Sequence, residues 1–339
     1  MTRTITFKPR VRRRSIAGLL AAGALLAAGA GLAADRAEAA VSAQVANGTL
    51  LVDGDRESDT ITLRLKAGTP TTVEVDDDGD GVADAAFDRA TFDRIVVTAG
   101  GGDDDVRIDD ANGTFTDTES TTVAAGAGDD EVRGGGGAEL VFGGPGEDVA
   151  DGNRGNDTGI MGSGHDVFIW DPGDGSDVIE GQSGYDTMDF NGAGGNENFD
   201  ASANGPRLRF FRDAGNITMD TDGVEKVDLD ALGGTDTTTV NDLSGTDVKK
   251  IYVDLASAIG GTAGDGVADA VVVNATAGDD EIDIRPRNGR AVVDGLAAKV
   301  VVAHPEAAND SLTVNALGGE DEIHLGAGLS GLIKTSVNA

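Results

Sequence analysis

Glycine and an acidic residue return every nine positions through the middle of this chain, and that period restricts its fold more than any other feature. Five units run end to end: AGAGDDEVR (125–133), GGGGAELVF (134–142), GGPGEDVAD (143–151), GNRGNDTGI (152–160) and MGSGHDVFI (161–169). The dipeptide Trp170-Asp171 interrupts, and PGDGSDVIE (172–180) and GQSGYDTMD (181–189) resume the register. The fourth position is always glycine: Gly128, Gly137, Gly146, Gly155, Gly164, Gly175 and Gly184. The sixth is always acidic: Asp130, Glu139, Asp148, Asp157, Asp166, Asp177 and Asp186. Glycine supplies the backbone of a tight turn, and a short acid is the one that turns prefer. The eighth position is mostly apolar, with Val132, Val141, Phe168, Ile179 and Met188 predicted to point inward from a short strand after each turn.

This pattern resembles the calcium-binding nonapeptide repeat of the RTX (hemolysin-type) family, GGxGxDxUx. The resemblance implies an all-β fold, a right-handed parallel β-roll with two nonapeptides per coil. It also implies several Ca2+ ions between turns stacked 18 residues apart, held by sixth-position carboxylates and main-chain carbonyls of the glycine-rich turns. Carried over by position, one edge stacks Asp130, Asp148 and Asp166, with Asp186 next after the insertion. The other stacks Glu139, Asp157 and Asp177, and Gly128, Gly146, Gly155 and Gly164 are turn glycines of these sites. Glu139 is one methylene longer than the usual Asp, so its site is expected to be weaker or empty. Ala150 and Gly159 leave two inward positions small, and those coils are expected to pack poorly, partly rescued by Val149 and Ile160. The insertion stretches the spacing from 18 to 20 and is expected to re-aim the last turns or end the stack.

Composition excludes several classes. Acids number 60 against 26 Lys plus Arg, for a net charge of −34, so the basic face that phosphates need is missing and nucleic acid is not a partner. Cysteine is absent, which removes disulfides, thiolate metal sites and thiol nucleophiles. Aspartate supplies 46 of the acids, a bias toward the turn-forming acid that generic surface acidity does not require. With 52 glycines and 4% aromatics, disorder competes with folding, but a fixed period argues for order.

Residues 1–40 read as a secretory signal peptide: Lys8, Arg10, Arg12, Arg13 and Arg14 precede an Ala/Gly/Leu run, and Ala37-Glu38-Ala39 offers a cleavage site. Arg13-Arg14-Ser15-Ile16 fits twin-arginine export, and the basic start fits Sec export equally. The segment carries seven bases and two acids, so the processed chain would carry −39. No second apolar stretch approaches 20 residues, so the expected product is extracellular and not integral to a membrane.

The flanks show the same device at longer spacing. IVVTAGGGDDDVRI (95–108), VVVNATAGDDEIDI (271–284) and LTVNALGGEDEIHL (312–325) each read as strand, acidic turn, strand. VDLDALGGTDTTTV (227–240) and LLVDGDRESDTITL (50–63) are weaker copies. Asp236 to Asp280 is 44 positions and Asp280 to Asp321 is 41, a spacing that suits coils of a longer β-solenoid. An antiparallel β-sandwich-like arrangement is the competing reading. The expected organisation is therefore a β segment at 41–124, the roll at 125–190 and a β-rich repeat domain at 191–339. The closing IKTSVNA (333–339) echoes SLTVNA (311–316) and reads as one more strand of the repeat.

Asp76, Asp78, Asp80 and Gly81 fit the opening of an EF-hand-like loop, but the twelfth position is Phe87 rather than glutamate, and a solvated hairpin tip is the stronger reading. GDGVADA occurs at 79–85 and again at 264–270, which points to a recurring turn-to-strand device. His165, His304 and His324 lie far apart, and neither HExxH nor GxSxG is present. Arg207, Arg209, Arg212, Arg285 and Arg287 are candidates for gripping an acidic sugar; the plainer reading is solvent-facing arginines that balance nearby carboxylates. Trp170 reads as packing at the insertion. Together these features point to a secreted, non-enzymatic calcium-binding protein whose roll folds on Ca2+. The alternatives are a calcium-rigidified surface adhesin or matrix module, with a cell surface or polysaccharide as partner, and a β-helix lyase or epimerase acting on acidic polysaccharide.

Overall fold

The computed structural model describes residues 41–338, and the leader read at 1–40 lies outside the described residues. Alternating apolar and polar side chains make almost every segment a half-buried strand. The strands form two sheets of 14 around one apolar core. In the centre the chain passes from sheet to sheet at each glycine-rich turn. The first sheet receives Ser120–Ala127, Glu139–Pro145, Thr158–Gly164 and Val178–Gly184. The second receives Glu131–Arg133, Val149–Asp151, Val167–Trp170 and Thr187–Asn191. Neighbours within each sheet are parallel and in register, with Gly159 between Val141 and Ile179, and Ala150 between Val132 and Phe168.

Both sheets continue across positions 124 and 190 into the flanks. Arg94–Gly101 and Thr49–Asp53 extend the first sheet in parallel, and Asp105–Asp109 and Thr60–Lys66 extend the second. On the other side Thr237–Val240, Ala270–Asn274, Ser311–Asn315 and Lys334–Asn338 stack in the first sheet. Lys226–Asp230, Lys250–Asp254 and Lys299–Ala303 stack in the second. The flanks are thus a longer-coil solenoid and not an antiparallel sandwich. Antiparallel pairing is mostly confined to extra strands that lengthen single coils. Arg207–Arg212 lies between Asn198–Asn204 and Ile217–Asp222, and Arg290–Asp294 lies between Glu281–Arg287 and Lys299–Ala303. Near the N-terminus, Thr69–Asp76 and Ala85–Asp88 form a similar hairpin. The last strand continues a ladder of amide side chains, in which Asn338 donates to Asn315, Asn315 to Asn274 and Asn274 to Asn241 at 2.7–2.8 Å.

Inside the roll, Val132, Val141, Ala150, Phe168, Ile179 and Met188 are all buried, as the eighth position requires. The small residues are compensated differently from the expectation. A period of two turns Val149 and Ile160 to the outer faces, where both are only half-buried. The space over Gly159 is filled instead by the Phe168 ring, 2.7 Å from where a Cβ would stand, with the Met161 sulfur at 3.3 Å.

The insertion does not end the stack either. Thr158 still faces Val178 and Val167 still faces Thr187, so the two extra residues are absorbed at the corner. Trp170 is fully buried there, stacked 4.1 Å from Phe190, and its indole N–H donates to the Gly175 carbonyl at 2.8 Å. Phe210 and Phe199 complete an aromatic cluster where the roll meets the first lengthened coil.

Candidate metal centre

Each sixth-position acid closes a glycine-rich turn at or just before the start of a strand, and all seven are buried. Short coils bring Asp130, Asp148, Asp166 and Asp186 together along one edge. The Asp130 amide donates to Asp148 Oδ1 at 3.0 Å, the Asp148 amide to Asp166 Oδ1 at 2.9 Å, and the Asp166 amide to Asp186 Oδ1 at 2.9 Å. Glu139, Asp157 and Asp177 stack on the opposite edge, with the Glu139 amide on Asp157 Oδ1 at 2.7 Å and the Asp157 amide on Asp177 Oδ1 at 2.8 Å.

The turns themselves stack as closely as backbone allows. A Cβ on Gly146 would lie 1.6 Å from the Gly128 carbonyl oxygen, and one on Gly164 1.5 Å from that of Gly146. On the other edge Gly155 would meet the Gly137 oxygen at 1.7 Å. The nonapeptide glycines are therefore needed for the approach of one coil to the next, beyond any dihedral preference.

At most one oxygen of each carboxylate is used in this ladder. Asp130 Oδ2, Asp148 Oδ2, Asp157 Oδ2, Asp166 Oδ2, Asp186 Oδ2 and Glu139 Oε1 are buried with no hydrogen-bond partner. A buried acceptor left bare costs about 1–3 kcal/mol, more when charged. Repeating that cost coil after coil marks a place where the chain leaves oxygens for a cation. Hard carboxylate and carbonyl oxygens in flexible turns suit calcium, and the donor set contains no sulfur and no histidine pair.

The family described as RTX calcium-binding nonapeptide repeat matches residues 116–150, 133–168 and 172–203. The chain carries RTX calcium-binding repeats. No curated protein matches the chain. Among solved structures, the extracellular lipase LipA from Serratia marcescens is similar over 56% of this chain and 43% of that one, at 13% identity and a TM-score of 0.16. This chain therefore spans less than half the length of that lipase.

The electrostatics of the RTX edges follow from the burial. Desolvation pushes the carboxyl of Asp157 up to about 9 and those of Asp148 and Asp177 up to about 7, and neighbouring carboxylates push the same way. Asp186 rises to about 6, and Asp130, Asp166 and Glu139 also rise, again chiefly by desolvation. A bound dication offsets both causes, which couples metal affinity to ionisation of these groups.

The RTX ladder runs on into coils that the nine-residue pattern does not mark. On the first edge the Asp186 amide reaches Glu225 Oε2 at 2.7 Å. In the C-terminal flank the Glu197 amide donates to Asp236, that of Asp236 to Asp269, and that of Asp269 to Asp310, at 2.8–3.1 Å. Asp280 and Asp321 form a separate pair at 3.0 Å, so Asp236 and Asp280, although 44 positions apart, do not share an edge.

Several flank turns treat the second oxygen differently. It accepts an amide four residues back in the same turn: Asp55 to Asp59, Ala193 to Glu197, Thr276 to Asp280 and Glu306 to Asp310, at 2.6–3.0 Å. Glu139 combines the two arrangements. Its extra methylene lets Oε2 take the Gly135 amide at 3.0 Å while Oε1 stays bare.

Most of the remaining candidates pair within the chain. Asp76, Asp78 and Asp84 bring carboxylate oxygens within 4.8 Å of one another, and Asp80 is not among them. Asp76 is held by Arg64 at 2.9 Å and by the Gly79 and Gly81 amides, at the tip of the hairpin. The two GDGVADA segments each lead into a strand, at Ala85 and at Ala270. Arg207 pairs with Asp220 and Glu180, Arg209 faces Asp200, and Arg285 faces Asp283. Arg212 departs from the solvent-facing reading: strand alternation turns it inward, against buried Glu197 and over the Trp170 ring. His304 pairs with Asp254, and His165 accepts the Tyr185 amide.

Proposed function

We propose that this chain is a secreted, non-enzymatic protein that binds several Ca2+ ions, and that its RTX roll completes folding when they bind. The observation that carries this reading is the column of buried carboxylate oxygens without partners on both edges of the roll. With calcium bound, Asp130, Asp148, Asp157, Asp166 and Asp186 would each keep one oxygen on the amide of the coil before and offer the other to an ion. Calcium supplies the charge that lets these acids remain ionised at burial. Pairing of Arg207, Arg209, Arg212 and Arg285 with the protein's own carboxylates favours this reading over a lyase or epimerase. Among the described residues no helix is long and apolar enough to cross a membrane.

One observation favours a mechanical second reading. The two sheets and their core run without interruption from one flank through the roll to the other, so calcium that stiffens the roll would also stiffen a spacer. Titrating the metal-free chain with Ca2+ while recording circular dichroism tests the first reading. A cooperative gain of β signal is expected at roughly 10⁻⁴–10⁻³ M, with magnesium a poor substitute. A spectrum indifferent to both calcium and chelator would refute it.

A further inference from the structure

The bare-oxygen arrangement reaches one coil beyond the matched repeats. Residues 99–107, AGGGDDDVR, parallel AGAGDDEVR at 125–133, but 26 residues separate their acids rather than 18. The structure stacks the two turns in the manner of the roll. Gly100 faces Gly126 and Val106 faces Val132 in the parallel ladders. A Cβ on Gly126 would meet the Gly100 oxygen at 2.1 Å, and one on Gly128 would meet the Gly102 oxygen at 1.8 Å.

Asp104 is 3% exposed, and its amide donates to Asp130 Oδ1 at 2.8 Å. Its own Oδ1 accepts the Asp59 amide at 2.8 Å, and its Oδ2 is buried with no partner. One coil further out the arrangement stops, because Asp59 Oδ2 already holds the Asp55 amide at 3.0 Å. The eight residues added between the turns are taken up by a short loop around the 3-10 turn Asp110–Asn112, away from the stacked edge.

We propose that a calcium ion binds between the Asp104 and Asp130 turns, outside the matched repeats, so that the metal ladder on this edge begins at Asp104. The proposal rests on the calcium reading of the roll. Its ligands are the free Asp104 and Asp130 carboxylate oxygens with carbonyls of the 99–104 and 125–130 turns. Asp130 then serves ions on both of its sides, and the N-terminal flank is tied to the roll by metal as well as by its core.

Calorimetric titration of the full chain with calcium tests this against Asp104→Asn and Asp59→Asn. Asp104→Asn is expected to lose one ion from the stoichiometry while the others remain, and Asp59→Asn to lose none. An unchanged stoichiometry in Asp104→Asn overturns the proposal. Anomalous scattering from terbium-soaked crystals of the unaltered chain gives the same answer without a substitution. A peak between Asp104 and Asp130 is expected in addition to peaks along Asp130, Asp148 and Asp166. Peaks only within the matched repeats overturn this site alone, and peaks nowhere overturn the calcium reading beneath it.

Discussion

The roll and its flanks share two sheets, one core and one kind of acid ladder, yet they finish their acids differently. In the roll, Asp130, Asp148, Asp157, Asp166 and Asp186 each keep a buried oxygen with no partner. In the flanks, Asp59, Glu197, Asp280 and Asp310 close that oxygen onto an amide of their own turn. Glu197 also holds Arg212, a cation supplied by the chain itself. Under the proposed calcium reading, a turn that satisfies its own carboxylate folds without help and a turn that leaves it bare takes up an ion, so metal dependence would follow how turns are capped and not acid content alone.

The sharpest way to break this comparison is pH. Without calcium, the roll carboxyls titrate in the folded state near 7 for Asp148 and Asp177 and near 9 for Asp157, against an ordinary value of 3.8. A raised folded value favours the protonated folded form. The contribution is complete below about 3.8 and is lost as pH rises through about 7 to 9. In chelator the roll is therefore expected to gain order on acidification. With calcium bound the sign reverses, because protons displace the ion, and order is lost in acid at a pH that falls as calcium rises. Circular dichroism against pH, with and without calcium, should give curves of opposite slope, and parallel curves would deny that the bare oxygens are metal ligands.

Next in size is Arg212→Ala, which strands buried Glu197 in the flank. A loss of about 3–5 kcal/mol is expected, equal in calcium and in chelator, measured by denaturant unfolding of the flank. Gly144→Ala acts on the roll instead. Gly144 has φ +124°, and a Cβ there would lie 1.8 Å from the Gly126 oxygen. A cost of about 3 kcal/mol is expected from strain and clash, read as a higher calcium midpoint for folding. Gly205→Ala, with φ +65° and nothing within 4 Å, should cost less.

Asp148 stands between two bare roll acids, whereas the Asp186 amide is taken by Glu225. Asp148→Asn is expected to weaken calcium binding by roughly tenfold, about 1.4 kcal/mol, clearly more than Asp186→Asn in calorimetry. Equal losses would refute sharing of ions along the edge. The smallest effect belongs to Asp280→Asn, where about 1 kcal/mol of turn capping is at stake and calcium stoichiometry should not change.

The roll was legible because glycine and acid occupy fixed places in coils too short to vary. The same arithmetic failed in the flanks, where coils run to 33, 39 and 41 residues, the last two absorbing extra antiparallel strands, and where Asp269 and Asp310 have no GGxG run before them. Nine-residue counting also passed over Asp104, whose glycine turn is complete but whose coil is eight residues longer than a roll coil. The fate of the insertion depended on whether Trp170 could be buried, which the Phe190 and Phe199 cluster decides through contacts distant in sequence. The inward turn of Arg212 was hidden for a similar reason: its partner Glu197 lies in the turn before the strand Asn198–Asn204 and is itself part of the ladder.

Hydrogen–deuterium exchange of the full chain, resolved by segment and compared in chelator and in millimolar calcium, tests most directly whether turn capping sets metal dependence. Residues 125–189 are expected to exchange rapidly in chelator and to become protected in calcium. The strands Lys226–Asp230, Ala270–Asn274 and Ser311–Asn315, whose core residues are fully buried, should be protected in both. Equal protection of the roll in chelator and in calcium would contradict the assignment of its bare carboxylate oxygens to the metal.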